Sequence, residues 1–195
     1  MVALTGTTLA LFGAGIALGV AGISTALGLM AAGVSGAGAV AETKENFKNA
    51  MILQAMPQTQ TIYAFITALF IVMGTGILMA DEEIDAARTA KIEELNATYA
   101  GTLSIENATG MMSSVGKGLT LGEGFVMLGA GIIVALTAVS SVFQGRISAA
   151  GIASCAKNPD AFAPSIVFSG QAETPAIFGF VIALIILVVG VGVLA

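Results

Sequence analysis

Long apolar runs, interrupted by short polar turns, dominate the pattern along the chain. Four runs stand out: Thr7–Val40, Ala50–Met79, Leu121–Ala156 and Phe162–Leu194. Each exceeds the roughly 20 residues that a helix needs to cross the hydrocarbon of a bilayer. The pattern therefore predicts four transmembrane helices that tilt or protrude. A short charged turn, "AETKENFKN", joins the first two, and "CAKNPDAF" joins the last two. Between the pairs lies a longer polar segment, Ala80 to Lys117. Its "DEEIDAARTAKIEELNA" has the Glu/Lys spacing of a short solvent-exposed helix. The division expected is a first hairpin (1–79), a polar, extracellular loop (80–120), and a second hairpin (121–195).

The two hairpins read as copies of one another. An offset of 115 residues lays Phe47 on Phe162, Thr59 on Thr174, Ile62 on Ile177, Tyr63 on Phe178 and Phe65 on Phe180, and continues through Ala68 and Leu69. With a small shift, "AAG" at Ala31–Gly33 pairs with "AAG" at Ala149–Gly151. Each copy holds two helices, so both enter the membrane in the same direction. The fold class expected is an all-α membrane protein of two tandem, parallel-duplicated helical hairpins, unlike the inverted repeats of many secondary transporters.

Composition agrees with the pattern. Of 195 residues, 56% are hydrophobic and 10% charged, and the mean hydropathy is +0.96, which excludes an ordinary soluble domain. The N-terminal "MVALTGTTLALFGAGIALGVAG" has no Lys or Arg before its apolar run and outlasts a signal core, so it reads as a retained first span. The single cysteine, Cys155, has no internal disulfide partner and reads as a small core residue. With no His, no CxxC and no phosphate loop, neither a transition-metal nor a nucleotide site is expected, and no nucleic-acid partner. Lys44, Lys48, Arg146 and Lys157 cluster at the short loops, while Arg88, Lys91 and Lys117 lie among the acids of the long one. The positive-inside rule then puts the short loops in the cytoplasm and both termini and the long loop outside. Two "NAT" patterns, at Asn96 and Asn107, match the glycosylation acceptor, a motif short enough to arise by chance.

Glycines crowd the first span: Gly13, Gly15, Gly19, Gly22, Gly28, Gly33, Gly36 and Gly38. They fit close helix packing within one bundle, and equally a ring in which first and third helices pack against neighbouring protomers.

Candidate chemistry narrows to one acid. Of twelve acidic residues, only Glu173, in "SGQAETPAIFGF", falls well inside an apolar span. Such a carboxylate marks a functional site by default. Glu123, in "LGEGF", lies near the start of the third helix and reaches the interface. The residue matching Glu173 in the first hairpin is Gln58, so each chain has one titratable site where a pair of hairpins has room for two. Pro57 and Pro175 flank these positions, and each removes a helix hydrogen bond and frees a carbonyl. In "MPQTQTIY", Met56, Thr59, Gln60 and Tyr63 share a helical face, and Gln144 is an isolated glutamine in the third span. Two amides, a hydroxyl, a backbone carbonyl and one carboxylate form an oxygen set suited to a hard cation. A single negative charge favours Na+ over Ca2+. The alternative is that these groups simply bond one another between helices.

Three segments, "ILQAMPQTQTIYAF", "FQGRISAAGIASCAKNPD" and "QAETPAIFGF", resemble in order and spacing the K subunit of V-type and archaeal-type ATPases, the proteolipid of the rotor ring. The likeness covers all four helices and is nearest to the sodium-translocating members; the long loop is the main departure. The resemblance implies that Glu173 carries the ion, that Gln60, Thr59 and Gln144 supply side-chain oxygens, that Met56 supplies its main-chain carbonyl, and that Tyr63 bonds the glutamate. It implies Na+ as cargo, with H+ as the alternative, and no organic cofactor. Met56 stands in place of a leucine, and Gln58 in place of a glycine, which adds an amide near the helix seam.

The implied partners are further copies in a homo-oligomeric ring, a stator subunit with a membrane arginine, central-stalk subunits at the short cytoplasmic loops, and lipid. Arg146 is not assigned the stator role. The chain is then no enzyme by itself but the ion-translocating part of an ATP-driven pump, whose few carboxylates per turn suit uphill transport. Rival readings are a secondary transporter or channel without ATPase subunits, and a structural scaffold.

Overall fold

The computed structural model describes residues 5–78 and 119–192. The long loop, with Asn96, Asn107, Arg88, Lys91 and Lys117, lies outside the described residues. Among the described residues, four helical spans are long and apolar enough to cross a membrane: Gly6–Glu42, Lys44–Gly74, Leu121–Lys157 and Pro159–Val191. The second and fourth begin earlier than hydropathy predicts. Thr43 accepts a hydrogen bond from the Glu45 amide and starts a 3-10 turn, Lys44–Asn46, before helix Phe47–Ala55. Asn158 does the same for Asp160 ahead of Pro159–Ala161 and helix Phe162–Gln171. Capping groups thus make helix out of residues too polar to score as span.

The duplication holds element by element. The two capped turns match at the same offset of 115 residues, and so do the interruptions further along. In the second span a 3-10 turn, Met56–Gln58, precedes helix Thr59–Gly74. In the fourth, helix Phe162–Gln171 ends, Ala172 and Glu173 form a turn, and helix Thr174–Val191 begins. Pro57 and Pro175 account for both, since neither has an N–H to continue the α-ladder. Around Glu173 the tightened bonds are Ala172 N–H to Ser169 O at 3.2 Å and Glu173 N–H to Gly170 O at 3.1 Å. The third span also breaks, at Val139 between Leu121–Ala138 and Ser140–Lys157, although no proline is there.

The first span packs along the third and flanks the second, and the fourth lies against the third. Glycines set the closest approach. A Cβ on Gly131 would lie 2.6 Å from the Gly13 carbonyl carbon, and one on Gly145 would lie 2.5 Å from the carbonyl carbon of Gly28. Gly6 and Gly124 meet in the same way. Backbone meets backbone at matching positions of the two copies, which only glycine permits. By contrast, a Cβ on Gly15, Gly19, Gly22 or Gly38 would meet no other element within 4 Å among the described residues. Some glycines of the first span therefore pack the bundle, and others face outward.

The interior holds two apolar clusters in which alanine predominates. One contains Ala10, Ala14, Ala17, Ala64, Ile71, Met127, Val134 and Leu187. The other contains Ala32, Leu53, Ile152 and Cys155. Between them lies a polar layer with Ser24, Thr25, Gln60, Ser141, Gln144, Ser148 and Ser169, all buried. Many large apolar side chains, among them Phe12, Val34, Leu136 and Val189, point outward. Small inside and large outside is the arrangement of helices solvated by lipid. Glu123 caps the third span, accepting from the Thr120 amide at 2.8 Å, while its own amide donates to Thr120 Oγ1.

Candidate ion-binding site

The residues singled out from sequence converge on the polar layer from three spans. Gln60 and Gln144 are both fully buried, and Gln60 Nε2 donates to Gln144 Oε1 at 2.6 Å. The Thr59 hydroxyl lies 3.2 Å from the Met56 carbonyl oxygen and 3.3 Å from Gln60 Oε1. Tyr63 donates from its phenol to Glu173 Oε1 at 2.6 Å. Its ring stacks on Phe180 of the fourth span, with centroids 5.1 Å apart. The Met56 side chain extends toward Gly170, one turn ahead of Glu173.

Two linked groups result. One is the oxygen set of Met56, Thr59, Gln60 and Gln144, and the other is the Tyr63–Glu173 pair. Gln60 and Tyr63 join them, being three residues apart on one helix. Glu173 is half-buried beside exposed Thr174 and Pro175, so the carboxylate stands at the outer flank of the bundle with its back to the polar layer. Gln144 Nε2, Ser140 Oγ and Ser141 Oγ are buried with no hydrogen-bond partner among the described residues. Gln58 is exposed and joins neither group, and Arg146 is exposed as well.

The proline in the second span explains how the carbonyl is presented. Met56 N–H bonds back to Leu53 O in a 3-10 contact, and the turn it opens brings the Met56 carbonyl to the Thr59 hydroxyl. In the fourth span the equivalent interruption places Glu173 at the start of a helix. Its carbonyl accepts from Ala176 and Ile177, and its side chain is left free to turn toward Tyr63.

The family model for the C subunit of ATP synthase matches this sequence twice, over residues 12–71 and 128–186, one match per hairpin. The chain belongs to the ATP synthase C-subunit family. It is similar to the K subunit of the A-type ATP synthase of Methanocaldococcus jannaschii, at 31% identity over 90% of this chain and 94% of that protein. It is also similar to the K subunit of the V-type sodium ATPase of Enterococcus hirae, at 28% identity over 85% of this chain and 81% of that one. It is a multi-pass membrane protein and a rotor proteolipid of the V/A-type ATPases, an ion-translocating component rather than a catalytic one.

Within this C-subunit family member, more polar contacts surround the site than its motifs announce. Thr61 and Thr25 form a hydroxyl pair at 2.8 Å between the second and first spans. Ser148 and Ser169, fully buried, pair at 2.8 Å between the third and fourth, each one turn from Gln144 and Glu173 respectively. The sequence signal available for these was weak: isolated hydroxyl residues in apolar spans, which need partners there.

Proposed function

We propose that this chain is the building block of a membrane rotor ring that carries Na+ on Glu173, coupled to ATP hydrolysis by other subunits. The observation that carries the reading is the Tyr63–Glu173 bond set beside the buried Gln60–Gln144 pair, around the lone acid well inside an apolar span. Oxygens held at about 2.4 Å from a shared hard cation lie about 3.4 Å apart in an octahedral shell. The spacings of 3.2 and 3.3 Å around Thr59 Oγ1 suit that arrangement. The Met56 carbonyl, Thr59 hydroxyl and the two amide oxygens supply neutral ligands, and Glu173 supplies one negative charge, which matches a monovalent cation.

A charged side chain deep in the bilayer costs at least about 2.5–3.5 kcal/mol. Ion binding neutralises Glu173 and lets it pass through lipid as the ring turns. A stator arginine on another subunit then favours the ionised, released form. The half-buried outward position of Glu173 gives that partner access. With the short loops cytoplasmic, Lys44 to Asn49 and Lys157 to Ala161 meet the central stalk, and both termini lie outside. The sodium ATPase named among the relatives adds support for Na+ as cargo.

The test is carbodiimide labelling of Glu173 in the assembled ring, across pH, with and without Na+. Suppression by Na+ at fixed pH is expected. Labelling that follows pH and ignores Na+ makes the cargo H+, and absence of labelling at every pH removes Glu173 as the carrier.

A further inference from the structure

The first span contributes no ligand to the proposed cage, yet three of its residues touch the elements that present the ligands. Thr25 is buried, and its hydroxyl donates to the Pro57 carbonyl at 3.2 Å. Thr61 donates in turn to Thr25 Oγ1 at 2.8 Å and lies 3.5 Å from the Ala21 carbonyl. One helical turn on, a Cβ at Gly28 would lie 3.1 Å from Pro57 Cβ and 3.1 Å from the Ser141 carbonyl carbon. Pro57 itself is fully buried.

These bonds run between spans, as do those of Ser35 and of the Ser148–Ser169 pair, and not back along their own helix. Inside a helix, Ser and Thr usually bond back to their own i−4 carbonyl. Thr67, Thr137, Ser154 and Ser165 all do so here, to Tyr63, Ile133, Ala150 and Ala161. Thr25 instead reaches another span, and Thr61 comes within range of the very carbonyl, Ala21 O, that Thr25 would otherwise use. The chain Thr61 → Thr25 → Pro57 O therefore ties the first span to the 3-10 turn Met56–Gln58. That turn presents the Met56 carbonyl and starts the helix carrying Thr59 and Gln60. Gly28 meanwhile seats against Gly145, the neighbour of Gln144. The first span thus fixes the second-span ligands and the third-span glutamine against one reference surface.

We infer that Thr25 is a positioning residue for the ion cage: its hydroxyl, oriented by Thr61, holds the Pro57 carbonyl and so sets where Met56 O and Thr59 Oγ1 stand relative to Gln144. This rests on the cation reading of Glu173 for its main readout. A turn freed by proline has no α-helical hydrogen bond to fix it, so a side-chain bond from outside has more influence there than in a regular helix.

The experiment compares wild type, Thr25→Val, Thr25→Ser and Thr61→Val rings, made from the full chain, in carbodiimide labelling of Glu173 over a Na+ titration at fixed pH. Val keeps the shape of Thr and removes the hydroxyl, while Ser keeps the hydroxyl. Thr25→Val is expected to raise the half-protecting Na+ concentration about threefold to tenfold, the range one net hydrogen bond carries. Thr25→Ser is expected to restore the wild-type value, and Thr61→Val to shift it in the same direction by less. Ser35→Ala serves as control: Ser35 donates to the Ala149 carbonyl at 2.7 Å, an inter-span bond of the same kind away from the cage. It is expected to leave the midpoint unchanged.

A Thr25→Val midpoint equal to wild type, or a Ser35→Ala shift as large as that of Thr25→Val, overturns the inference. If Thr25→Val does not accumulate, Thr61→Val decides in the same titration. If Na+ fails to protect even wild type, the cation reading has failed, and the positioning role is then judged on labelling against pH in Na+-free medium. There a Val midpoint displaced by about 0.5–1 pH unit and restored in Ser supports it, and coincident curves overturn it.

Discussion

Tyr63 and Glu173, 110 residues apart in the sequence, meet with 2.6 Å between phenol and carboxylate oxygens. The tyrosine ring is itself held by stacking on Phe180, two turns beyond Glu173 on the same span. A phenol donor on one carboxylate oxygen leaves the other free to face an ion, and the stacked ring limits how far the donor can swing. Tyr63→Phe keeps the stacking and removes the donor. A hydrogen bond to a charged group contributes about 1.5 kcal/mol at the low end of its range, or about a tenfold change in affinity. The expected outcome is a half-protecting Na+ concentration raised by about tenfold, with ring assembly intact, measured by carbodiimide protection. An unchanged midpoint would mean the phenol contributes packing alone.

Much of this was legible in the sequence, for identifiable reasons. Hydropathy resolves the four spans because lipid demands uninterrupted apolar helix, and Glu173 stands out because an acid in such a run is costly. Spacings of three and four place Met56, Thr59, Gln60 and Tyr63 together because helix geometry is local. Helix starts at Lys44 and Pro159 were harder to see, since capping lets polar residues enter helix. The break at Val139 had no proline to announce it; Thr137 near it directs its hydroxyl to the Ile133 and Val134 carbonyls. The Thr25–Thr61–Pro57 chain and the Ser148–Ser169 pair depend on the lateral register of helices, which no period within one span encodes.

The Gln60–Gln144 pair separates an ionic from a structural role. Gln60→Ala leaves the Gln144 amide buried without its partner, at a cost of about 1–3 kcal/mol in stability. It is also expected to weaken Na+ protection while the ring still assembles. Replacing both by Leu removes both buried polar groups, so the double variant should recover part of the lost thermal stability, a coupling typical of residues in contact. It should not recover Na+ protection. Protection that returned with stability would assign the pair to helix packing.

Glu173→Gln keeps the side chain's volume and abolishes its charge. ATP-driven Na+ uptake into vesicles containing the complete rotary complex is expected to fall to background, as is carbodiimide labelling. Transport at the wild-type rate in this variant would end the assignment of Glu173 as carrier.

Proton and sodium ion should compete for one carboxylate. Carbodiimide reacts with the protonated acid, so bound Na+ must be displaced by protons before labelling occurs. Linkage of two ligands at one site then predicts that, above the half-protecting concentration, each tenfold rise in Na+ lowers the pH midpoint of labelling by about one unit. The direction is fixed by the chemistry: more Na+ requires more acid. A midpoint that stays put while the amplitude falls would place Na+ at a separate site that merely blocks access.

Backbone contact between the first and third spans makes a sharp contrast available on one helix. A Cβ at Gly131 would lie 2.6 Å from the Gly13 carbonyl carbon and 2.8 Å from its Cα, and neither backbone can give way without moving its helix. A Cβ at Gly129, two residues earlier, would meet no other element within 4 Å among the described residues. Glycine in a helix interior is about 0.5–1 kcal/mol less favourable than alanine, so alanine costs nothing where space is open. Gly131→Ala is therefore expected to lower the thermal stability of the detergent-extracted chain, and Gly129→Ala to leave it unchanged or raise it slightly. If Gly129→Ala also fails, and fails only in ring assembly while the isolated chain keeps its stability, then its open face is where a neighbouring copy packs. Equal stability of Gly131→Ala and wild type would mean the two spans do not approach at Gly13.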